Sequence, residues 1–192
     1  MTERNDRDIV NEVLNGNAEL FCLLIHRYEK AIFNYIYRMV KQKQEAEDLA
    51  QETFVRVFSK LRKYNNTYEF TTWIYRIALN VCRDSFRKKR LVFFSLQNPV
   101  GEEEESELED FIEQASFQDP DGDVLNQELR LEIERAIERL PLKFREIIVL
   151  RHIENLSYEE IAAVTGLPIG TVKTYIYRAR KRLQDDLQRY LD

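Results

Sequence analysis

The chain of 192 residues is poor in residues that break regular structure, with 5 glycines and 4 prolines. Together with 33% charged residues, this scarcity argues against collagen-like and low-complexity chains and predicts a mostly helical protein. The sequence has no apolar run long enough to span a membrane, and its first residues alternate charges with single aliphatics. We therefore expect no membrane insertion and no signal peptide, and a cytoplasmic location.

Cysteine is also scarce, and its two copies, Cys22 and Cys82, do not form a C-x-x-C pair. This spacing argues against a disulfide framework and a zinc site, so both thiols are interpreted as small buried hydrophobes. Cys22 and His26 lie one helical turn apart. A thiol and an imidazole alone would supply at most half of the ligands of a metal or redox site. A carboxylate metal cluster would need a second acidic helix to face the acids of one segment, Glu45, Glu47, Asp48 and Glu52.

Catalytic motifs are equally absent from the sequence. It contains no Gly-rich phosphate loop and no Ser, His and Asp set in a recognisable context. The sequence therefore favours a protein that is not an enzyme and that needs neither a metal nor another cofactor.

The net charge of −5 is distributed unevenly along the chain. Residues 1–90 carry 17 Lys and Arg against 12 Asp and Glu, whereas residues 91–125 carry 11 acids and no cation. Residues 126–192 are nearly balanced, with 12 cations and 11 acids. Because the acidic segment also contains two prolines and two glycines, we interpret it as a flexible linker between two small domains.

Apolar residues recur every three or four positions in both outer segments, which predicts an all-α fold. The first block should hold helices over about 18–41, 45–61 and 71–90, and the second should resume near residue 126 and break at Pro141. The inward face of the second helix is predicted to contain Ala46, Leu49, Ala50, Thr53, Phe54, Val57, Phe58 and Leu61.

A helix-turn-helix is predicted over residues 157–183. Ser157 and Glu160 form an S-x-x-E capping box, Gly166 suits the end of the first helix and Pro168 the start of the second. The outward face of the second helix carries no acid and contains Lys173, Thr174, Tyr177, Arg178 and Lys181. Such a face suits base edges and phosphates in a major groove; a solvated basic helix is the alternative.

A second basic stripe is predicted on the helix over 71–90, at steps of three or four residues. Its members are Thr72, Arg76, Asn80, Arg83, Arg87 and Arg90. Tyr64 and Tyr68 precede it and are candidates for stacking on unpaired bases, whereas Phe70 and Trp73 fit the core better. The stripe would neutralise phosphates, unless it is merely a solvated face.

One face of the helix over 45–61 is polar except for a single aliphatic residue. It contains Asp48, Gln51, Glu52 and Val55. An isolated surface aliphatic often has no role, but acids around it also suit docking to a basic partner protein.

Three segments in order carry a resemblance to one protein family. They are AEDLAQETFVRVFSKL, FTTWIYRIALNVCRDSFRKKR and LSYEEIAAVTGLPIGTVKTYIYRARKRL. They resemble the polymerase-docking helix, the promoter-melting helix and the terminal helix-turn-helix of the extracytoplasmic-function (ECF) group of bacterial RNA polymerase sigma factors. Two positions depart from the usual pattern of the family, which often has Ser in place of Pro168 and Arg in place of Tyr175.

The resemblance implies partners and residue roles. Asp48, Gln51, Glu52 and Val55 would bind the clamp helices of the largest subunit of core RNA polymerase. The proximal promoter element, where the family flips a base out of the non-template strand, would be bound by Tyr64, Tyr68, Arg76, Asn80, Arg83 and Arg87. The upstream element would be read as duplex by Gly170, Thr171, Lys173, Thr174, Tyr177 and Arg178. The resemblance also raises an anti-sigma factor as a partner and a role in a stress or envelope response.

Two domains on a flexible linker cannot by themselves set the spacing of two promoter contacts. We therefore expect the free chain to bind DNA weakly and the polymerase to supply the geometry, which makes the second contact effectively intramolecular. The alternative is an autonomous regulator, which would normally dimerise on a palindromic site. Nothing in residues 1–90 indicates a dimer seam or a ligand pocket.

Overall fold

The computed structural model describes residues 4–96 and 124–191, with side chains over 4–91 and 128–188. All regular structure in these ranges is helical, which confirms the all-α prediction. The helices are α1 (Asp6–Leu14), α2 (Phe21–Val40), α3 (Lys43–Lys60), α4 (Phe70–Leu96), α5 (Val124–Glu138), α6 (Leu142–His152), α7 (Tyr158–Thr165) and α8 (Ile169–Leu191). The chain divides into two compact units, the first with α1–α4 and the second with most of the later helices. Within the described ranges, no helix combines the length and the hydropathy of a membrane span.

The core of the first unit forms where α2 packs against α3 and α4. On α2, apolar residues that recur every three or four positions are buried, and Leu24, Ile32 and Tyr35 have no exposed surface. Burial of such side chains stabilises the fold by about 1.5–3 kcal/mol each. Helix α2 ends at Lys41, whose backbone is left-handed (φ 64°), so the chain turns sharply into α3.

Helix α1 was not predicted. Asn5 caps it by accepting a hydrogen bond from the amide of Arg7 at 3.3 Å, and Ile9, Val10 and Val13 are buried on one face. The cap and the three-residue spacing were both readable in the sequence. The short helix was missed because charged residues surround these few aliphatics.

Two side chains expected inside are exposed. Phe58 is 48% exposed, and its ring packs edge-on against that of Phe21, with the ring centres 5.0 Å apart. Cys22 is exposed, whereas Cys82 is buried as predicted, and neither cysteine forms a disulfide. The predictions for Phe58 and Cys22 were therefore wrong, because the helical period does not fix where the buried face of a helix ends.

The boundaries predicted for the linker need correction at both ends. Helix α4 continues through Arg90 to Leu96, and α5 begins at Val124. Thus the ends of the segment over 91–125 are helical, and its remaining residues, 97–123, lie outside the described part of the chain.

The second unit confirms the predicted helix-turn-helix. The Ser157 amide donates to the Glu160 carboxylate at 2.8 Å, and the Glu160 amide donates to the Ser157 hydroxyl at 3.2 Å. Gly166 follows α7 with a left-handed backbone (φ 76°), and the Pro168 carbonyl accepts from the amides of the first turn of α8. On the opposite side of α8 from the predicted outward face, Val172, Ile176 and Ala179 are buried.

Candidate nucleic-acid and protein interfaces

The polar face of α3 is open to solvent. Asp48 and Gln51 are exposed, and Val55 is 68% exposed, more than any other large aliphatic side chain among the described residues. Glu52 is half-buried because its carboxylate accepts a hydrogen bond from Arg56 at 2.5 Å. The face therefore offers an exposed apolar residue beside acidic and amide groups, and one acid is already paired.

Arg56 connects this face to α4. Its second amino group donates to the Asp84 carboxylate at 2.8 Å, and Arg87 also binds Asp84, at 3.1 Å. The hydrogen bond from Arg56, helped by the nearby positive charge, lowers the pKa of Asp84 below its usual value. Asp84 therefore remains ionised and holds both guanidinium groups.

The loop between α3 and α4, residues 64–69, is internally braced. The Tyr64 hydroxyl donates to the Tyr68 carbonyl at 3.0 Å, and the Thr67 amide donates to the Asn65 side chain at 3.2 Å. Asn66 adopts a left-handed backbone (φ 57°), which Asn tolerates better than most residues. The loop thus has a defined shape before any ligand binds.

The two tyrosines predicted to stack on bases lie in different environments. Tyr64 is buried, with its ring centre 5.5 Å from that of Phe70 and 5.3 Å from that of Trp73. Its ring is not open to a base, so we correct the prediction and assign Tyr64 to the support of the loop. Tyr68 is 47% exposed and remains a candidate for stacking.

The basic stripe on α4 is only partly on the surface. Arg76, Asn80 and Arg87 are exposed, Arg83 is half-buried, and Thr72 is buried. Thr72 therefore belongs to the core and not to the stripe, because α4 packs closely at its N-terminal end. The exposed members can reach a ligand from one side of the helix.

Sequence reasoning missed five residues close to the loop, which belong to α1, α2 and α4. The Asp6 carboxylate accepts hydrogen bonds from Arg27 and from the Tyr28 hydroxyl. The Tyr28 oxygen lies 3.0 Å from the Thr71 hydroxyl, and Arg7 binds Glu69 at 3.0 Å. These pairs join residues far apart in the sequence, so no local pattern reveals them.

In the second unit, the predicted outward face of α8 is exposed, with Tyr177 at 69%. The exposed residues of this face are Gly170, Lys173, Thr174, Tyr177, Arg178 and Lys181, while Thr171 is half-buried. The Thr174 hydroxyl donates to the Gly170 carbonyl at 2.9 Å. The helix thus presents cations, a hydroxyl and an aromatic ring on one side.

Two residues of α8 pack instead on α6. Tyr175 meets Phe144 edge-on with ring centres 5.3 Å apart, so it takes part in helix packing. Arg180 donates to Nε2 of His152 at 3.3 Å. Burial, followed by the positive charges of Arg180 and Arg151, lowers the pKa of His152. The imidazole is therefore neutral at pH 7 and holds Arg180 as an acceptor.

Metal ligands do not come together in the described residues. No group of three or more His, Cys, Asp or Glu side chains there could hold a metal ion. Within the first unit, Glu45 instead accepts from Ser85 at 2.8 Å and from Lys89 at 2.6 Å. The Glu45 carboxylate of α3 therefore faces a hydroxyl and a basic group of α4.

Family models match both units. The model described as Sigma-70 region 2 matches residues 24–92, and the model described as Sigma-70, region 4 matches residues 130–183. The first match contains the polar face of α3, the loop of residues 64–69 and the basic stripe on α4. The second contains the helix-turn-helix.

Curated relatives match along almost the whole chain. ECF RNA polymerase sigma factor SigW of Bacillus subtilis is 34% identical over 179 residues, covering 93% of this chain and 95% of that protein. ECF RNA polymerase sigma-E factor of Escherichia coli K12 is 33% identical over 186 residues, covering 95% and 94%. Among solved structures, the sigma factor RpoE in complex with the anti-sigma factor NepR from Bartonella quintana has a TM-score of 0.70 and 26% identity, covering 88% of this chain and 96% of that one.

Proposed function

Because this chain belongs to the extracytoplasmic-function group of bacterial RNA polymerase sigma factors, we propose that it uses three separate surfaces, one for core polymerase and two for promoter DNA. Its function is that of a promoter-recognising initiation factor. The region 2 match over residues 24–92 favours this role over that of an autonomous regulator. The observation that supports the three surfaces best is the exposure of Val55, Tyr68 and Tyr177 on otherwise polar faces.

The surface for polymerase is the face of α3 formed by Asp48, Gln51, Glu52 and Val55. Burial of an exposed aliphatic stabilises a complex by roughly 25 cal/mol per Å², and the surrounding acids select a basic partner helix. The clamp helices of the largest polymerase subunit are the proposed partner. Glu52 is held by Arg56, so we assign the leading contacts to Asp48, Gln51 and Val55.

The surface for the proximal promoter element combines the loop of residues 64–69 with the exposed side of α4. Flipping a base costs a few kcal/mol, and stacking on an aromatic ring returns about 1–3 kcal/mol. We assign this stacking to Tyr68, and the phosphate and base-edge contacts to Arg76, Asn80 and Arg87. We propose that Arg83 makes a further contact to this DNA from the side of the same helix.

The surface for the upstream element is the exposed face of α8. Lys173 and Arg178 are proposed to contact phosphates or guanine, which presents two acceptors in the major groove. Gly170 has open space where a Cβ would stand, so the DNA backbone can approach closely there. Thr171, Thr174 and Tyr177 complete the proposed contact set.

The partner proteins follow from this role. Since polymerase and promoter act in the cytoplasm, we place this chain there and expect a stress-response regulon of the kind typical of the group. The structural neighbour RpoE was solved with an anti-sigma factor. We propose that this chain also binds such a factor, which would cover the exposed docking face while the sigma factor is inactive.

Reconstitution with bacterial core polymerase tests the proposed function. Run-off transcription on genomic fragments would identify a promoter, and the free chain should bind that promoter at least about tenfold more weakly than the holoenzyme. Equal affinity of the free chain and the holoenzyme would contradict the proposal.

Matched variants separate the surfaces. Val55→Ser should weaken binding to core, whereas Leu23→Ser, which changes another exposed aliphatic of the same unit, should not. Arg178→Ala should weaken duplex binding at the upstream element while core affinity is retained, with the exposed Arg130→Ala as its control. The assignment of a surface fails if its variant and its control behave alike.

A further inference from the structure

Helix α1 lies before the segment matched by the region 2 model, which begins at residue 24. Its first turn nevertheless contacts the loop of residues 64–69, because Arg7 binds Glu69. The adjacent Asp6 accepts a hydrogen bond from Tyr28 of α2. Helix α1, which is outside the region 2 match, therefore contacts the proposed proximal-promoter surface.

The contact through Asp6 is a chain of hydrogen bonds that ends in the first turn of α4. Tyr28 is buried with its ring centre 5.5 Å from that of Phe70, and its hydroxyl donates to Asp6. A phenol has one proton to give, so the Thr71 hydroxyl is the donor in its 3.0 Å contact with Tyr28. Burial, and then the hydrogen bond to Asp6, raises the pKa of Tyr28 far above its ordinary value. The Tyr28 phenol therefore keeps its proton at neutral pH and can donate it to Asp6 while accepting from Thr71.

The contact through Arg7 reaches both ends of the loop. Arg7 binds Glu69, the last loop residue, at 3.0 Å. Its positive charge also acts on the Tyr64 phenol at the start of the loop, where it opposes the rise in pKa that burial causes. The Arg7 and Glu69 side chains are 43% and 63% exposed. Loss of this ion pair should therefore change the equilibrium between the native and a displaced loop by less than about fivefold. The chain through Asp6 is therefore the stronger of the two.

The loop needs both internal and external support. Its own hydrogen bonds, from Tyr64 to Tyr68 and from Thr67 to Asn65, fix its shape. They do not fix its orientation relative to α4, on which Arg76 and Asn80 are exposed. A site that is ordered before binding loses less conformational entropy when it captures a base.

We propose that α1 is a positioning element of the proximal-promoter site: Asp6, through Tyr28 and Thr71, and Arg7, through Glu69, hold the loop of residues 64–69 in the orientation that receives an unstacked base. This inference rests on the proposed function of that loop. It makes Asp6 and Tyr28 determinants of promoter selectivity, although neither belongs to the DNA-binding surface.

The test uses holoenzyme assembled from the full chain and core polymerase. Its ligands are a single-stranded oligonucleotide carrying the non-template proximal element of a promoter found by run-off transcription, and a scrambled oligonucleotide of the same composition. Fluorescence anisotropy gives the ratio of the two affinities. Asp6→Ala is compared with Asp8→Ala, which removes the same charge from the same first turn of α1 at an exposed position.

We expect Asp6→Ala to reduce the affinity ratio by roughly five- to tenfold, the effect of one lost hydrogen bond of ordinary net strength, and Asp8→Ala to change it by less than about twofold. Tyr28→Phe removes only the hydroxyl and should reduce the ratio in the same way. It carries the test if Asp6→Ala does not fold. The affinity of these variants for core polymerase should remain that of the wild type, which a general loss of structure would not allow.

Two results would overturn the proposal while leaving the proposed function intact. In the first, wild-type holoenzyme discriminates between the oligonucleotides, and Tyr28→Phe and Asp6→Ala discriminate equally well. In the second, the substitutions reduce the affinity of the holoenzyme for both oligonucleotides by the same factor. If wild-type holoenzyme shows no discrimination, the proximal site itself is wrongly assigned, and both proposals fail.

Discussion

The guanidinium of Arg56 on α3 donates to the carboxylate of Asp84 on α4 across 2.8 Å. Arg56 also binds Glu52 on the proposed docking face, and Asp84 also binds Arg87 on the proposed DNA-binding stripe. Four alternating charges thus connect the two surfaces across the helix interface. A partner that attracts Glu52 must compete with Arg56 for it.

Replacement of Asp84 by Asn should lower the free energy of unfolding by about 1 kcal/mol at pH 7, since the ion pair is half-buried. Arg56 lowers the pKa of Asp84 in the folded chain, so this contribution is complete above the ordinary carboxyl pKa of about 4 and disappears as the pH falls through the lower folded value. Urea unfolding at several pH values measures the difference between wild type and Asp84→Asn. The exposed Asp48→Asn is the control, and a difference that persists at pH 2 would contradict the prediction.

The stability of the chain should depend on the ionisation of His152. Burial and the neighbouring Arg180 lower its pKa in the folded state, so the unfolded chain binds the proton more readily. Stability should therefore fall as the pH decreases through about 6.5, the ordinary value, and level off below the folded pKa. The urea midpoint between pH 8 and pH 5 reports this dependence. His152→Asn, which cannot take up the proton, should flatten the curve over this range, and parallel curves for the two proteins would refute the assignment.

The same substitution should have opposite effects at two glycines. Gly166→Ala places a Cβ on a left-handed residue (φ 76°) with no atom within 4 Å, so the cost is backbone strain of about 1–2 kcal/mol and not a clash. Gly170→Ala lies inside α8, also in open space, where Ala should stabilise the helix by roughly 0.5–1 kcal/mol. Thermal unfolding of both variants checks the signs. Two shifts in the same direction would show that backbone conformation does not decide the outcome.

The cation and the aromatic ring on the outer face of α8 should differ in their salt dependence. Arg178→Ala should reduce the slope of log affinity against log salt by about 1 for holoenzyme on duplex upstream DNA, because one phosphate contact is lost. Tyr177→Ala should weaken binding without a change of slope. Titrations at several salt concentrations separate these cases, and an unchanged slope for Arg178→Ala would remove it from the set of proposed phosphate contacts.

The features that the sequence predicted well depend on neighbours within a few positions. The capping box of Ser157 and Glu160 and the left-handed turn at Gly166 are set by local geometry, as are the buried stripes of α2 and α8. The resemblance to sigma factors added the partner, which no local pattern could name. The comparisons then confirmed the family.

The features that the sequence did not predict depend on which helices meet. Aromatic character alone did not say that Tyr64 is buried while Tyr68 is exposed, because both precede the same helix. Thr72 follows the period of the basic stripe but faces the core. The network of Asp6, Tyr28 and Thr71 joins three helices, so only their packing brings it together.

The short hydrogen-bonded turn within α8 bears on which bases this protein prefers. Because the Thr174 hydroxyl gives its single proton to the Gly170 carbonyl, the side chain would present lone pairs and a methyl group to DNA bound at this face. Those groups suit the exocyclic amines of adenine and cytosine or the methyl of thymine, and they offer nothing to the two acceptors of guanine. One hydrogen bond inside the helix would therefore limit the bases that the Thr174 side chain can recognise.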